Sequence, residues 1–308
     1  MASRLVIAPA VADALAQKRP VVALETTVIT HGLPEGQGVR TALDMESAVR
    51  ERGALPATVG VLGGRLRVGL SPDDLRALAG TPGVAKVNLG NLAAVVASGR
   101  PGSTTVAATV FGAARAGISV MVTGGIGGVH RGAAESGDVS SDLTALARHP
   151  VAVVCAGAKA VLDLPRTLEM LETLGVPVYG FRTADLPAFY RRSSGLKLDQ
   201  RFDMPEELAN AVRVHWGLGA TTGVVVGNPV PTEYEMPAEI YQSSLEQALK
   251  EASTKGVRGR EVTPFLLDRM RQLSEGRSVF SNLALLRHNA LVAGSLATLL
   301  ARADEPAF

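Results

Sequence analysis

Short apolar runs recur along the 308-residue chain and alternate with longer stretches whose apolar residues return every three or four positions. The runs are VVALE (21–25), TVGVL (58–62), AKVNL (85–89), SVMVT (119–123), VAVVCA (151–156), VPVYGF (176–181) and GVVVG (223–227). A strand with one wet face alternates apolar and polar residues, so continuous runs predict strands covered on both faces. The intervening stretches RTALDMESAVRERGA (40–54) and DLPRTLEMLETLGV (163–176) have helical spacing. Strand-helix alternation of this kind predicts an α/β protein whose mostly parallel sheet carries helices on both sides. GGRLRVGLS (63–71) stands apart and reads as a short hairpin. From about Ser243 to Ala303 the pattern is helical, interrupted at GVRGREVTP (256–264). No linker-like tract, charge run or internal repeat divides the chain, which predicts a single domain over residues 1–308.

Composition narrows the partners. Hydrophobic residues make up 46% and charged residues 19%, the balance of a folded globular protein. Thirty-one Lys and Arg against 29 Asp and Glu leave a net charge of +2, with no basic block. A nucleic-acid binder needs a local positive stripe, so no nucleic-acid partner is expected. A small phosphorylated ligand needs only two or three basic groups, which this balance permits. Cys155, the single cysteine, excludes an internal disulfide and suits a reducing cytosol. The N-terminal segment has only a short apolar stretch before Asp13, and no segment approaches ~20 uninterrupted apolar residues. Neither a signal peptide nor a membrane anchor is expected, and the predicted location is cytoplasmic.

In parallel α/β sheets ligands gather at the carboxyl ends of the strands, where loops converge. Polar residues just past the apolar runs are therefore the candidates. Lys159 follows VAVVCA and the small residues Gly157 and Ala158. In a crevice with apolar walls, desolvation disfavours the ammonium form and frees the amine to attack a carbonyl. The plainer alternative is a lysine whose stem packs while its head reaches water. Glu25 ends an apolar run, where a carboxylate serves as an acid or base or is held by loop N–H groups. Lys86 would place a second cation in the same crevice. SGDVSSDL (136–143) sets Asp138 and Asp142 four apart with serines between them. That segment reads either as a helix cap or as a site for magnesium or manganese. VTGGIGGVHRG (122–132) lacks the acidic residue that ends the next strand in dinucleotide sites, which leaves phosphate contact or tight turns. GSTTVAAT (102–109) opens a helix, as an anion site or a plain cap. His130, His149, His215 and His288 have no metal-ligand spacing, and no GxSxG supports a hydrolase serine.

Taken in order, ALETTVITHGLP, GSTTVAATVFGAARAGISVMVTGGIGGVHRG, DVSSDLTALA, VVCAGAKAVLDLPRTLEMLETLGVPVYGFRT, LPAFYRRSSG, NPVPTEYEMP, EVTPFLLDRM and SNLALLRHNA resemble the pseudouridine-5′-phosphate glycosidase family from about Glu25 to Ala290. The resemblance implies a three-layer α/β/α fold of the indigoidine synthase A type. It also implies reversible cleavage of the carbon–carbon bond between uracil and ribose 5-phosphate, a divalent metal (typically Mn²⁺) and a homotrimer. By the same resemblance Lys159 is the nucleophile, Glu25 the proton donor and Asp138 the metal ligand. Lys86, Val106, Ser140, Ser141, Asp142 and Asn282 are the implied substrate contacts.

Two departures stand out. The family often reads SRRDL after the substrate lysine, whereas this chain reads NLGNL (88–92), which removes a possible phosphate clamp at Gly90 and Asn91. HNA (288–290) replaces the more usual NNA. The rival readings are another Schiff-base lyase or aldolase acting on a sugar phosphate, and a non-catalytic nucleotide-binding or scaffold protein on the same fold.

Overall fold

The computed structural model describes residues 3–34, 36–257 and 262–302. Among them run eleven strands of one sheet: β1 (Leu5–Ile7), β2 (Val21–Leu24), β3 (Leu55–Leu62), β4 (Arg65–Val68), β5 (Ala85–Val87), β6 (Gly102–Thr104), β7 (Val120–Val122), β8 (Ala152–Cys155), β9 (Val178–Phe181), β10 (Gln200–Phe202) and β11 (Val224–Gly227). Their order is β1-β4-β3-β2-β7-β8-β11-β9-β10, with β6 on β3 and β5 on β6. From β3 to β10 the path is parallel. The antiparallel pairings are β3–β4 and β3–β6. Each run read as a strand coincides with one, β3 starting three residues before its run, and the GGRLRVGLS ribbon contains β4, turned back on β3 through Gly63 and Gly64.

The central strands are what their sequences require. Every residue of β2, β7, β8 and β11 is buried, because helices cover both sheet faces. On one side the 25-residue helix Arg277–Ala301 packs on β2, β7 and β8 and against the helices Gly38–Glu51 and Pro205–Gly217. The other layer contains the helix Val106–Ala116, which meets β2, β3, β4 and β7 and the short helix Ser141–Leu146. Leu285, Leu286, Ala293, Leu296 and Ala297 of the long helix are buried in the core. That helix is also long and apolar enough to cross a membrane, yet its inward face is already occupied by the sheet.

Several elements escaped the hydropathy pattern. β1, β6 and β10 lie outside the apolar runs above, and so does the helix Pro205–Gly217. The expected interruption at 256–264 falls after the helix Ala238–Thr254 but overlaps the next one, Val262–Leu273, by three residues; residues 258–261 fall outside the described residues. A second break at 274–276 turns on Gly276, whose φ of 81° favours a residue without a Cβ.

Candidate active site

Glu25 is the first residue after β2, and it is only 6% exposed. The next two residues fix its backbone. Thr26 Oγ1 donates to the Val59 carbonyl at 2.8 Å and accepts from the Thr104 N–H at 2.8 Å, and Thr27 Oγ1 donates to the Thr104 carbonyl at 2.6 Å. Of the ETT triplet, the threonines weld the loop to β3 and β6 and leave the glutamate as the free actor. The Thr123 hydroxyl, one residue past β7, donates to Glu25 Oε1. Burial pushes the Glu25 carboxyl above its ordinary range. Lys159, the Thr123 bond and Lys86 pull against that, while Asp142 adds to it. Lys159, Lys86 and Asp142 are therefore each within electrostatic reach of Glu25, although they lie far from it in the chain.

Lys159 hangs from an extended tail beyond β8. Its N–H bonds the Ile126 carbonyl at 3.0 Å, and the Ile126 N–H bonds the Gly157 carbonyl at 3.1 Å, so the tail lies against the glycine-rich loop. Gly157 has a φ of 76°, and an added Cβ would stand 2.0 Å from the Pro187 carbonyl oxygen. Only glycine fits there. Opposite it, Phe189 adopts a left-handed φ of 61° while its N–H bonds the Ala156 carbonyl at 3.0 Å. Such a conformation costs roughly 1–3 kcal/mol in a bulky residue and is retained where surrounding packing enforces it. The lysine is half-buried, and its charge acts on both Glu25 and His130.

The glycine-rich loop serves close approach. A Cβ at Gly127 would come 2.3 Å from Ser140 Oγ and 2.7 Å from Asp142 Oδ2. Asp142 is 3% exposed and spends both oxygens on backbone: Oδ1 accepts from the Ala107 N–H and Oδ2 from the Gly127 N–H, each at 2.8 Å. It thus ties the first turn of the helix Val106–Ala116 to the loop after β7. The cap of its own helix is Ser140, whose hydroxyl accepts from the Asp142 N–H at 3.2 Å. Ser141 is half-buried at the start of that helix. Val106 is 0% exposed, which closes its side chain to a ligand.

Lys86 lies in the middle of β5 and not after it, in register with Ser103. The NLGNL departure closes on itself beside it: Asn91 Nδ2 donates to the Lys86 carbonyl at 2.9 Å, Asn91 Oδ1 accepts from the Asn88 N–H at 2.9 Å, and the Gly90 N–H bonds Asn88 Oδ1 at 2.9 Å. Asn91 thereby holds the backbone that carries Lys86.

Asp138 is 34% exposed and stands 4.0 Å from His130 Nδ1. Burial depresses the His130 imidazole; Asp138 opposes that, and Lys159 and Lys86 add to it. His130 therefore belongs to the cluster although it has no metal-ligand spacing; the signal in the sequence is its place at the end of the loop after β7. Among the described residues no three His, Cys, Asp or Glu side chains converge on one point. A hydrated hard cation shared with a phosphate needs only one or two protein carboxylates, and Asp138 fits that role. Asn282 is set apart. It is 9% exposed on the helix Arg277–Ala301 and lines a cavity of about 100 Å³ with His31, Leu33, Tyr190 and Leu267.

The family model for indigoidine synthase A like protein matches residues 10–299. The chain belongs to that family. It is 51% identical over 299 residues to a Paracoccus denitrificans protein named pseudouridine-5′-phosphate glycosidase, covering 96% of this chain and 98% of that protein. A protein of the same name from Caldanaerobacter subterraneus subsp. tengcongensis is 48% identical over 290 residues, covering 94% of each. Two solved structures share the fold at 37% identity. One, a prealnumycin C-glycosynthase in complex with ribulose 5-phosphate, has a TM-score of 0.89 over 96% of this chain and 97% of that one. The other, an indigoidine synthase A-like protein from Thermotoga maritima, has a TM-score of 0.88 over 98% and 99%. The expected family and α/β fold are both borne out.

Proposed function

We propose that this enzyme is a pseudouridine-5′-phosphate glycosidase, which reversibly cleaves its substrate to uracil and ribose 5-phosphate through a covalent sugar adduct on Lys159. The observation that carries the reading is the buried Glu25 carboxyl within electrostatic reach of both Lys159 and Lys86. Relatives about half identical over nearly the whole chain, and named for this activity, support it.

An ordinary glycosidase protonates a leaving oxygen, whereas here the leaving atom is carbon 5 of uracil. The residues suit a route that first opens the sugar ring. Protonated Glu25 gives its proton to the ring oxygen as the bond from that oxygen to the anomeric carbon breaks. The Lys159 amine then bonds the anomeric carbon. The new ammonium returns a proton to the Glu25 carboxylate, which passes it to carbon 5 as the bond between the two carbons breaks; the electron pair goes to carbon 5, and the sugar remains as a protonated imine on Lys159. Water hydrolyses the imine, releasing ribose 5-phosphate and the free amine. Burial raises the Glu25 pKa, which keeps the acid form populated to higher pH than in an exposed glutamate, the direction a proton donor requires.

Lys86 would meet anionic groups of the substrate, together with the backbone at Val106 and the hydroxyls of Ser140 and Ser141. Asp142 would act through the backbone groups it holds, and Asn282 would approach from the neighbouring cavity. Asp138 would hold a divalent ion, Mn²⁺ by family resemblance, which when bound supplies positive charge for the phosphate. The same resemblance supports a homotrimer, and the buried lone thiol of Cys155 suits the cytoplasm.

The test is uracil release from pseudouridine 5′-phosphate, with and without added Mn²⁺, beside unphosphorylated pseudouridine. Release from the phosphate is the expected result and also measures what the NLGNL turn costs in phosphate selectivity. No release, with cleavage of other sugar phosphates, would favour a different Schiff-base lyase.

A further inference from the structure

Behind Glu25 lies a set of buried polar groups that the chemistry above does not use. Asn289, on the inward face of the helix Arg277–Ala301, is 0% exposed, while Asn228, directly after β11, and Thr123 are each 1% exposed. A primary amide inside a helix packed on apolar strands is costly unless it is fully bonded. Here it is. Asn289 Nδ2 donates to the Thr123 carbonyl at 2.9 Å and lies 3.5 Å from the Gly124 carbonyl. Asn228 Nδ2 donates to Asn289 Oδ1 at 2.9 Å and meets His288 Nδ1 at 3.2 Å, and the Asn228 N–H bonds the Cys155 carbonyl at 2.8 Å. With the Thr123 hydroxyl on Glu25, the chain of bonds crosses the carboxyl ends of β2, β7, β8 and β11, which are consecutive in the sheet.

The polarity of this chain is dictated by its chemistry. A carbonyl only accepts, so Asn289 must turn its amide nitrogen to Thr123 and its oxygen to Asn228. Asn228 must then present its own nitrogen, and His288 Nδ1 must be the acceptor. Neither amide can flip without setting like groups against each other.

We infer that Asn289 is a positioning residue: it fixes the Thr123 peptide so that the Thr123 hydroxyl points at the Glu25 carboxyl, and Asn228 and His288 lock its orientation. The inference rests on reading Glu25 as the proton donor of the proposed glycosidase. A hydroxyl that donates to a carboxylate favours the charged form, so losing that bond moves the Glu25 titration to higher pH. Lys159, Lys86 and Asp142 also face Glu25 and stay in place, so the displacement reports the lost bond alone.

The experiment measures uracil release against pH for the full-length wild type, Thr123→Val, Asn289→Leu and the double variant. Asn289→Leu is expected to lower kcat about 100-fold, the effect of a slight misplacement, with a much smaller change in KM. The Glu25 limb of the pH profile moves alkaline in both single variants, Thr123→Ser restores it, and the double variant shows no further displacement. Displacements that add, or an Asn289→Leu limb in the wild-type position, would overturn the inference. If Asn289→Leu does not fold, Asn228→Ala unlocks the same amide without changing the helix. It should move the limb the same way, and an unmoved limb overturns the inference equally. A wild type that releases no uracil defeats the proposed function and this inference with it, whereas an active wild type with unmoved variants defeats this inference alone.

Discussion

The two halves of the site are built by different means. Glu25, Thr123, Lys159 and Asn228 stand at the ends of β2, β7, β8 and β11, four adjacent parallel strands whose every residue is buried. Lys86 instead comes from a three-residue strand attached through the antiparallel β3–β6 pairing, and a turn made by two asparagines holds its backbone. The central groups inherit the rigidity of the core, while the flank depends on a few local bonds. On the proposed roles, the reacting groups sit on the rigid core and the ligand-binding charge on its locally held flank.

The sharpest way to break this comparison is Lys159→Ala. Loss of the nucleophile should lower kcat by about 10⁴-fold or more with the fold intact, measured by uracil release and circular dichroism. A residual rate within tenfold of wild type would mean that the central strands do not carry the chemistry. Glu25→Gln comes next, with an expected loss of about 10²–10⁴-fold in kcat. It also carries a stability sign. The Glu25 carboxyl is pushed up by burial, so its contribution to stability is present below its unfolded pKa and lost as pH rises through the folded value. The glutamine variant should therefore be the more stable protein above that range, by an amount on the order of 1 kcal/mol per unit of displacement, read as a higher Tm. In the wild type, activity that needs protonated Glu25 falls as pH rises through the same value.

The flank should respond more gently. Lys86→Met is expected to raise KM about 10–100-fold, the loss of a hydrogen bond to a charged group, with a smaller change in kcat. Asn91→Ala should raise KM only a fewfold, because it frees the backbone under Lys86 and leaves the charge in place. An Asn91 variant as impaired in kcat as the Glu25 variant would erase the distinction between core-held and turn-held groups.

The central half was the more legible one. Continuous apolar runs ending in Glu25 or leading to Lys159 announce doubly covered strands with polar groups at their ends, and both features were read from the residues. What stayed hidden depends on three-dimensional neighbours. Nothing near Asp142 in the chain shows that its oxygens bond Ala107 and Gly127, and nothing near Gly157 shows the Pro187 carbonyl pressed against it. His130 lacked ligand spacing because its partners Asp138, Lys159 and Lys86 come from three other segments. Asn289 is one of several polar residues in its helix, and only the fold brings Asn228 and Thr123 to it. The roles of Val106, Ser140, Ser141, Asn282 and Asp138 rest on family resemblance, since no property of those residues alone distinguishes ligand contact from packing or capping.

The central claim, covalent capture of the sugar by Lys159, is tested most directly by incubating the protein with ribose 5-phosphate, reducing with borohydride and mapping the adduct by mass spectrometry. The account predicts one pentose phosphate on the peptide containing Lys159, absent from Lys159→Ala. An adduct on Lys86 or any other residue, or none under conditions that support uracil release, would contradict it.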